Sequence, residues 1–406
     1  MIEVIKDKVY SFENLKDFFK WLMKETDILD LEIKGDEQSN NVYKFVKYYK
    51  AIKKECEQAL VNANDTFKLD TDNDLVKESV GELIRVNSDG KFLRAMLIAL
   101  GYTTFADSKD NAYLPLAAAY ETFQTAILIH DDIIDNATLR RGKETIPVSY
   151  KTRFDEYKNK SKATFETKKN HIADSLGICI GDLGFYLANK IIIDSYKDNA
   201  KLADVLSLYT KIVINTIKGE IIDVKLPFDA EHLGSNVTHE KSVMEIYHLK
   251  TSWYSVVGPY LLGMTLAGAN KEDMDKMENI LNNLGIAFQI KDDILGIYGV
   301  EEELGKSASS DISEFKQTIL YAYLVEKAPE YLDEINKYYG KVELSKDELN
   351  IVKEIFEKSG AKAYAESTMN SLFVSAKNSL KNENILDEEY KEILLGLVEY
   401  LRLRTK

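Results

Sequence analysis

Two aspartates of one acidic sequence have the spacing that metal and phosphate chemistry needs. The sequence D-D-I-I-D at 131–135 follows a mostly apolar run, 113–129, which contains no glycine and has a proline near its start. Proline is tolerated in a first helical turn, so we predict one helix that ends at Asp135. On that helix Asp131 and Asp135 are four residues apart and share a face, whereas the aspartate at 132 turns away by roughly 100°.

Carboxylates held this close repel each other, so their surroundings must supply positive charge. No histidine or cysteine set with zinc spacing accompanies them, and oxygen ligands favour a hard cation such as Mg²⁺. Arg140 and Arg141 follow within a few residues, and guanidinium groups bind phosphate oxygens well. The combination indicates a diphosphate site. The alternative is a solvated acidic helix end beside a basic turn, which is disfavoured because the acids end an apolar helix.

A second pair of aspartates, Asp292 and Asp293, also ends an apolar helical segment, which begins near Phe288. Two such clusters in one chain suggest facing helices that hold several metal ions between them.

A basic sequence, G-K-F-L-R at 90–94, opens another apolar segment after a polar turn. Lys91 and Arg94 are three residues apart and share a face at a helix N-terminus, which is a ready anion site. Cations are mildly unfavourable at that end of a helix, and this mismatch favours an anionic ligand over a solvated first turn.

Composition limits the class of protein. Of the 406 residues, 45% are hydrophobic, and only 20 are glycine and 5 proline. Long windows show no strand alternation, so we predict a mostly helical protein with a sizeable core. The formal net charge of -14 argues against nucleic acid as a partner, so an anion site must be a local basic pocket.

The chain shows few signs of division or targeting. Cys56 and Cys179 stand in unrelated contexts, which argues against a structural disulfide and for a reducing compartment. No stretch reaches the roughly 20 apolar residues of a membrane span, so we predict a cytoplasmic protein without a transmembrane segment. Residues 1–40 are predicted to form an N-terminal helical extension, and 41–406 one domain. A charged stretch at 151–170 is predicted to be a loop inserted between helices.

Several motifs in chain order carry a family resemblance. They are G-K-F-L-R at 90–94, Gln124, D-D-I-I-D at 131–135, R-R-G at 140–142, K-T at 250–251 and F-Q-x-x-D-D at 288–293. Together they resemble the trans-isoprenyl diphosphate synthases, the polyprenyl synthetase family, over roughly residues 80–330. The resemblance implies an all-α protein, a single large helical bundle around a central active-site cavity. It also implies a homodimer that joins isopentenyl diphosphate head-to-tail to an allylic diphosphate.

The resemblance also implies a role for each matching residue. It assigns the isopentenyl diphosphate to four residues, Lys91, Arg94, Gln124 and Arg141. It assigns several Mg²⁺ ions to three carboxylates, Asp131, Asp135 and Asp292. It assigns the allylic diphosphate to four cations, Arg140, Lys250, Lys306 and Lys316. Thr251 and Gln289 would offer oxygens to the developing carbocation, and Asp223 would act in the outer shell of the metal ions.

Product length is implied by the helix before Asp131. Family members that stop at farnesyl diphosphate often carry aromatic residues four and five positions before that aspartate. Here those positions hold Ile127 and Ala126, which leave room, and Phe123 one turn further down would form the floor together with Tyr120. We therefore predict geranylgeranyl diphosphate as the product, with farnesyl or longer polyprenyl diphosphates as alternatives.

The chain departs from the family pattern at Gly296, where the second acidic motif usually ends in a further aspartate. This puts fine metal geometry in question more than activity. A class I terpene cyclase is a rival on the same fold, but cyclases usually lack the second diphosphate site that Lys91, Arg94 and Gln124 indicate. A non-catalytic partner subunit is a further rival, and such subunits typically lose the first acidic motif.

Overall fold

The structure is a computed structural model of the 406-residue chain. It describes residues 1–6, 9–29, 31–67, 72–88, 90–108, 110–156, 168–232, 239–299, 310–341 and 344–404, without the side chains of 229–232 and 310.

Helices account for most of the described chain, and the all-α prediction is confirmed. The first nine are α1 (Leu15–Lys24), α2 (Glu37–Asp65), α3 (Asp74–Val86), α4 (Leu93–Phe105), α5 (Leu114–Ile134), α6 (Ile146–Glu156), α7 (Lys169–Tyr196), α8 (Leu202–His232) and α9 (His239–Ile246). A π-helical turn, Tyr247–Val257, follows. The others are α10 (Gly258–Ala267), α11 (Lys271–Tyr298), α12 (Ser310–Ser313), α13 (Ile319–Lys327), a 3₁₀ turn (Pro329–Tyr331), α14 (Leu332–Ile335), α15 (Lys346–Lys358), α16 (Ala361–Asn382) and α17 (Glu388–Leu403).

The helix that carries the first acidic motif forms where the apolar run predicts it. α5 has proline in its first turn, and Asp135 is its C-cap, with the Asp135 amide donating to the Asp131 carbonyl at 2.8 Å. The second motif lies on α11, which starts at an N-cap: the Asn270 side chain accepts from the Asp273 amide at 2.9 Å.

The prediction of a helical N-terminal extension is wrong in its secondary structure. Three strands, β1 (Ile2–Ile5), β2 (Val9–Phe12) and β3 (Glu32–Lys34), form an antiparallel sheet in the order β2-β1-β3, and only α1 between them is helical. Along β1 the more buried side chains alternate with less buried ones, which is the two-residue period of a strand. Windows of four residues are too short for this period to stand out against a helical pattern.

The described chain divides into two compact units. Unit 1 comprises Met1–Ile52, Leu100–Asp107 and Ser207–Lys406; unit 2 comprises Lys53–Ala99 and Ser108–Leu206. The predicted single domain over 41–406 stays a prediction. Of the charged stretch 151–170, residues up to 156 complete α6 and those from 169 begin α7, so its ends are helix rather than loop. Residues 157–167 lie outside the described part of the chain.

Unit 2 is built on the packing of α5 against α7. Its core includes Leu83 from α3, Ile129 from α5 and Ile180 from α7, with at most 3% of each residue exposed. In the described residues α7 is the one helix that is long and apolar enough to cross a membrane, and 39% of its most apolar window is buried. Core helices meet the same criteria of length and composition.

Aromatic rings dominate the core of unit 1 near the C-terminus. The Tyr400 ring of α17 lies 5.0 Å from Phe45 and 5.6 Å from Phe19, and the Phe19 contact is edge-on. Lys50 donates to the Leu22 carbonyl at 2.8 Å and so satisfies the C-terminal end of α1. The N-terminal extension is therefore docked by aromatic contact with α17 and by hydrogen bonds that side chains of α2 donate to its carbonyls.

Replacement of Phe19 with alanine is expected to loosen the extension. The ring is 6% exposed, and removal of a buried phenylalanine costs about 3 kcal/mol. Limited proteolysis should cut the variant faster within residues 1–34 than within α11. Lys20→Ala changes the exposed neighbour of Phe19 and should leave the pattern unchanged. Equal protection of the extension in both variants would show that Phe19 does not hold it.

Candidate active site

A tight hairpin places the two arginines that follow the first acidic motif. Strands β4 (Leu139–Arg140) and β5 (Lys143–Glu144) pair antiparallel around a two-residue loop. The loop residues Arg141 and Gly142 have φ of 54° and 75°. Two positive φ values in succession are those of a type I′ turn, whose twist matches paired strands. The R-R-G sequence is therefore a turn that directs consecutive arginines to different neighbours.

Arg140 reaches back to the end of α5. Its Nη2 donates to Asp131 Oδ2 at 2.9 Å and its Nε to Asp132 Oδ1 at 2.5 Å. Burial raises the pKa of Asp132 to about 6, although Arg140 opposes that shift. Burial lowers the pKa of Arg140, but the two aspartates outweigh it and the net shift is upward. The guanidinium therefore neutralises charge that α5 concentrates in its last turn.

The basic residues at the start of α4 lie beside a strained backbone. Phe92 is buried, 3% exposed, and has φ of 55°. Such a φ is uncommon for a bulky residue. Lys91 is exposed just before the helix, and Arg94 lies in its first turn. The buried Phe92 ring thus anchors the turn between them.

Arg94 and Gln124 meet a carboxylate that the sequence motifs did not include. Gln124, with its amide oriented to satisfy both groups, accepts from Arg94 Nη1 and donates to Glu121 Oε2, each at 3.0 Å. Glu121 Oε1 also accepts from the Ala95 amide at 3.2 Å. Burial raises the pKa of Glu121, and Arg94 opposes the shift. The buried Glu121 therefore holds Gln124 in place and, through it, Arg94.

Lys250 and Thr251 lie in the π-helical turn and point to different helices of unit 1. Lys250 Nζ pairs with Glu220 Oε2 and Asp223 Oδ2 of α8, each at 2.7 Å. Thr251 Oγ1 donates to Gln289 Oε1 of α11 at 2.6 Å. The structure thus brings Thr251 and Gln289 together, as their shared predicted role requires.

The Gln289 side chain continues into a buried polar network. Its Nε2 donates to Asp293 Oδ1 at 2.7 Å, and the Tyr247 hydroxyl donates to Asp293 Oδ2. The same hydroxyl accepts from the Ile319 amide at 2.8 Å. Burial raises the pKa of Asp293 to about 8, against the pull of the bonds from Tyr247 and Gln289. Asp293 therefore fixes Gln289 from inside the core.

Asp292 is held by Arg404, the C-cap of α17. The Arg404 guanidinium pairs with the Asp292 carboxylate and lies over the Phe288 ring, 4.0 Å from its centroid. The Arg404 side chain is 9% exposed, against 39% for Asp292. The exposed carboxylate is thus paired to a cation whose apolar surface is covered by an aromatic ring.

Gly296 is explained by a carboxylate from another helix. A Cβ at this position would lie 2.2 Å from Oδ2 of Asp311, which is 6% exposed on α12. A side chain at 296 and the present position of Asp311 therefore exclude each other. Further along, Lys316 pairs with Glu314 at 2.7 Å. Lys306 lies outside the described residues.

The residues predicted to limit product length differ in their surroundings. Phe123 is fully buried between the rings of Tyr120 and Phe185, at 5.3 and 5.6 Å. Ala126 is also fully buried, and a Cβ on Gly184 of α7 would lie 2.9 Å from its Cβ. Ile127 is partly exposed. The small size of Ala126 is therefore needed for helix packing, whatever else it does.

The residues that the sequence motifs missed fall into two groups. Glu121 carried a visible signal, since it is the one charged residue in the run before the first acidic motif. Tyr247 and Arg404 carried none, because the Tyr247–Asp293 and Arg404–Asp292 pairs join residues 46 and 112 positions apart.

An all-α fold whose acidic helix ends are matched by arginine and lysine is typical of enzymes that act on diphosphates. The polyprenyl synthetase family model matches residues 76–358, and the chain belongs to that family.

Geranylgeranyl diphosphate synthase of Sulfolobus acidocaldarius is 28% identical over 353 residues, 86% of this chain and 97% of that protein. Geranylfarnesyl diphosphate synthase of Aeropyrum pernix is 30% identical over 325 residues, 79% of this chain and 92% of that protein. The crystal structure of geranylgeranyl pyrophosphate synthase from Corynebacterium glutamicum, complexed with isoprenyl diphosphate and magnesium, has a TM-score of 0.72 and 25% identity, covering 86% of this chain and 97% of that one. The resemblance drawn from the motifs is confirmed.

Glu121→Gln is expected to destabilise unit 2, because it leaves the Arg94 charge without its buried counter-charge. Breaking such a pair from one side costs on the order of 3 kcal/mol. Urea unfolding should show this loss, whereas Glu57→Gln, at an exposed ion pair 3.5 Å long, should cost less than about 1 kcal/mol. A Glu121→Gln midpoint equal to that of Glu57→Gln would mean that the acid does not balance Arg94.

Proposed function

We propose that this member of the polyprenyl synthetase family joins isopentenyl diphosphate head-to-tail to an allylic diphosphate, with release of diphosphate. The allylic substrate would be dimethylallyl, geranyl or farnesyl diphosphate. The enzyme class follows from the family, and the names of the two archaeal relatives support chain elongation.

The observation that carries the proposal is the Glu121–Gln124–Arg94 set, in which Glu121 and Gln124 are buried. It orients one guanidinium at the start of α4 in the same unit as the first acidic motif. A cyclase acts on one diphosphate and has no use for a second cation site of this kind. With Lys91 and Arg141, Arg94 would hold the isopentenyl diphosphate so that its double bond can attack.

The leaving group is the diphosphate of the allylic substrate. Negative charge builds on it as the carbon–oxygen bond breaks, and Lys250 and Lys316 of unit 1 would neutralise that charge. Arg140 of unit 2 has the same family assignment, as does Lys306, which lies outside the described residues. The resulting allylic cation is attacked by the isopentenyl double bond, and a proton then passes to the released diphosphate. No side-chain nucleophile is required.

Magnesium ions are the proposed cofactor. In unit 2 Asp131 and Asp135 would bind such ions, and in unit 1 Asp292 would do so, since carboxylate oxygens suit this hard cation. Among the described residues no group of three or more histidine, cysteine, aspartate or glutamate side chains could hold a metal ion by itself. The donor set therefore fits ions whose remaining ligands are diphosphate oxygens and water. Bound Mg²⁺ would add positive charge that stabilises the leaving diphosphate.

Thr251 and Gln289 would face the developing carbocation. Thr251 donates its proton to Gln289, so the lone pairs of the Thr251 oxygen stay available to a positive carbon. Gln289 is fixed in turn by Asp293. Oxygen dipoles held in this way stabilise charge without reorganising during the reaction.

The test is product analysis after incubation of the pure protein with Mg²⁺, labelled isopentenyl diphosphate and each allylic diphosphate in turn. Incorporation of label into a longer prenyl diphosphate supports elongation. Conversion of the allylic substrate to a hydrocarbon without label would instead identify a cyclase.

Geranylgeranyl diphosphate is the proposed product. Ile127 is aliphatic and partly exposed, so the helix leaves room for a chain beyond farnesyl length. Phe123 lies one turn further along α5, where its ring is backed by those of Tyr120 and Phe185. This ring would form the floor that stops elongation.

Phe123→Ala is expected to lengthen the product by at least one isoprene unit, because it removes the proposed floor. Product chain length measured by mass spectrometry checks this. Phe373→Ala removes a ring that is 2% exposed in unit 1, and it should destabilise the protein without changing the product. An unchanged product from Phe123→Ala would place the floor elsewhere.

We propose a homodimer that forms through α8. Five of its apolar side chains are exposed at alternating intervals of three and four residues, namely Ile214, Ile217, Ile221, Val224 and Phe228. Between 43% and 67% of each residue is exposed. A stripe with this spacing fits a second copy of itself in a helix–helix seam.

Ile221→Glu is expected to yield a monomer, because it places a charge in the centre of this stripe. Light scattering after size-exclusion chromatography measures the mass. Lys327→Glu introduces the same charge at an exposed position of α13 and should leave the dimer intact. A dimeric Ile221→Glu variant would exclude this face.

The proposed location is the cytoplasm. Cys56 is buried and Cys179 exposed, and both thiols are free, which suits a reducing compartment.

A further inference from the structure

The π-helical turn that carries Lys250 and Thr251 is unusually long. It spans eleven residues, Tyr247–Val257, whereas most π-helical segments are single-turn bulges inside α-helices. Seven of its side chains, counted from Thr251 onward, are buried: Thr251, Ser252, Trp253, Tyr254, Ser255, Val256 and Val257. The second half of the turn is therefore enclosed by its neighbours.

Two flanking helices touch the backbone of this turn at glycine. A Cβ added at Gly219 of α8 would lie 2.7 Å from the Lys250 amide nitrogen and 3.0 Å from its Cα. A Cβ added at Gly285 of α11 would lie 2.6 Å from the Ser252 Cα. These atoms belong to the backbone, so they cannot rotate away as the end of a flexible side chain can. A methyl group at either glycine must move the turn itself.

The functional contacts start from the same two helices. The residue after Gly219 is Glu220, whose carboxylate accepts from Lys250 Nζ at 2.7 Å. Four residues after Gly285 is Gln289, which accepts from Thr251 Oγ1 at 2.6 Å. Each helix thus contacts the backbone of the turn at a glycine. Within four residues of that glycine, the same helix binds a functional side chain of the turn.

We infer that Gly219 and Gly285 are positioning residues for Lys250 and Thr251. They let α8 and α11 approach closely enough to hold the π-helical turn in one place. Lys250 can then pair with α8 while Thr251, the next residue, bonds to α11. This inference rests on the proposed function, since it concerns the grip on the allylic diphosphate.

The experiment compares Gly219→Ala with Gly81→Ala. Gly81 lies within α3, and a Cβ there would have nothing within 4 Å. Alanine favours a helix at both positions, so the comparison isolates the contact with Lys250. Gly81→Ala should raise Tm and leave the kinetics unchanged. Gly219→Ala should raise KM for the allylic diphosphate about tenfold and leave KM for isopentenyl diphosphate unchanged, since small misplacements of a binding group cost rate steeply.

A double-mutant cycle with Lys250→Gln separates positioning from general damage. If Gly219 acts through Lys250, then Gly219→Ala should add little to the allylic KM of Lys250→Gln. Equal rises in both KM values, or additive effects in the cycle, would overturn the inference. If Gly219→Ala does not fold, Gly285→Ala puts the same question to the other side of the turn. A wild-type protein that does not elongate would refute the proposed function. In that case the position of Lys250 is tested by the affinity of each variant for inorganic diphosphate, measured in place of KM.

Discussion

Three aspartates at the end of α5 place negative charge close together, and one of them, Asp132, is buried. Burial of an ion costs several kcal/mol unless a counter-charge is close. In unit 2 that counter-charge is Arg140, which binds Asp131 and Asp132 at once. Arg140 can do so because Arg141 and Gly142 turn the chain back tightly. The backbone conformation of these two residues thus places the counter-charge beside Asp131 and Asp132.

In unit 1 the carboxylates are also paired with cations, but these come from other elements of the chain. Lys250 lies between Glu220 and Asp223, and Arg404 covers Asp292. Lys250, like Arg140, is also proposed to grip a diphosphate. A diphosphate with its metal ions would compete for both members of each pair, since the anion attracts the cation and the metal ion attracts the carboxylate. Binding of either should therefore favour binding of the other, by the reciprocity that holds for any two linked ligands.

The sequence predicts features that depend on neighbours along the chain. The span of α5 and the shared face of Asp131 and Asp135 follow from helical periodicity. The strands of residues 1–34 were not predicted because four-residue periods are too short to detect. The Arg404–Asp292 pair was not predicted because no local pattern links residues 112 positions apart. The π-helical turn has no propensity signal, since packing against α8 and α11 selects it.

Small residues show most clearly that a sequence alone does not reveal which neighbour fills the space beside a side chain. An alanine at 126 looks like space left for a prenyl chain, yet its Cβ meets α7 at Gly184. A glycine at 296 looks like a lost ligand, yet the carboxylate of Asp311 lies over it. In both cases the missing atoms are replaced by atoms from elsewhere in the same unit. Close packing leaves few voids, so an absent side chain usually marks a neighbour that has moved in. The identity of that neighbour, a backbone at Ala126 and an acid at Gly296, decides whether the position serves packing or chemistry.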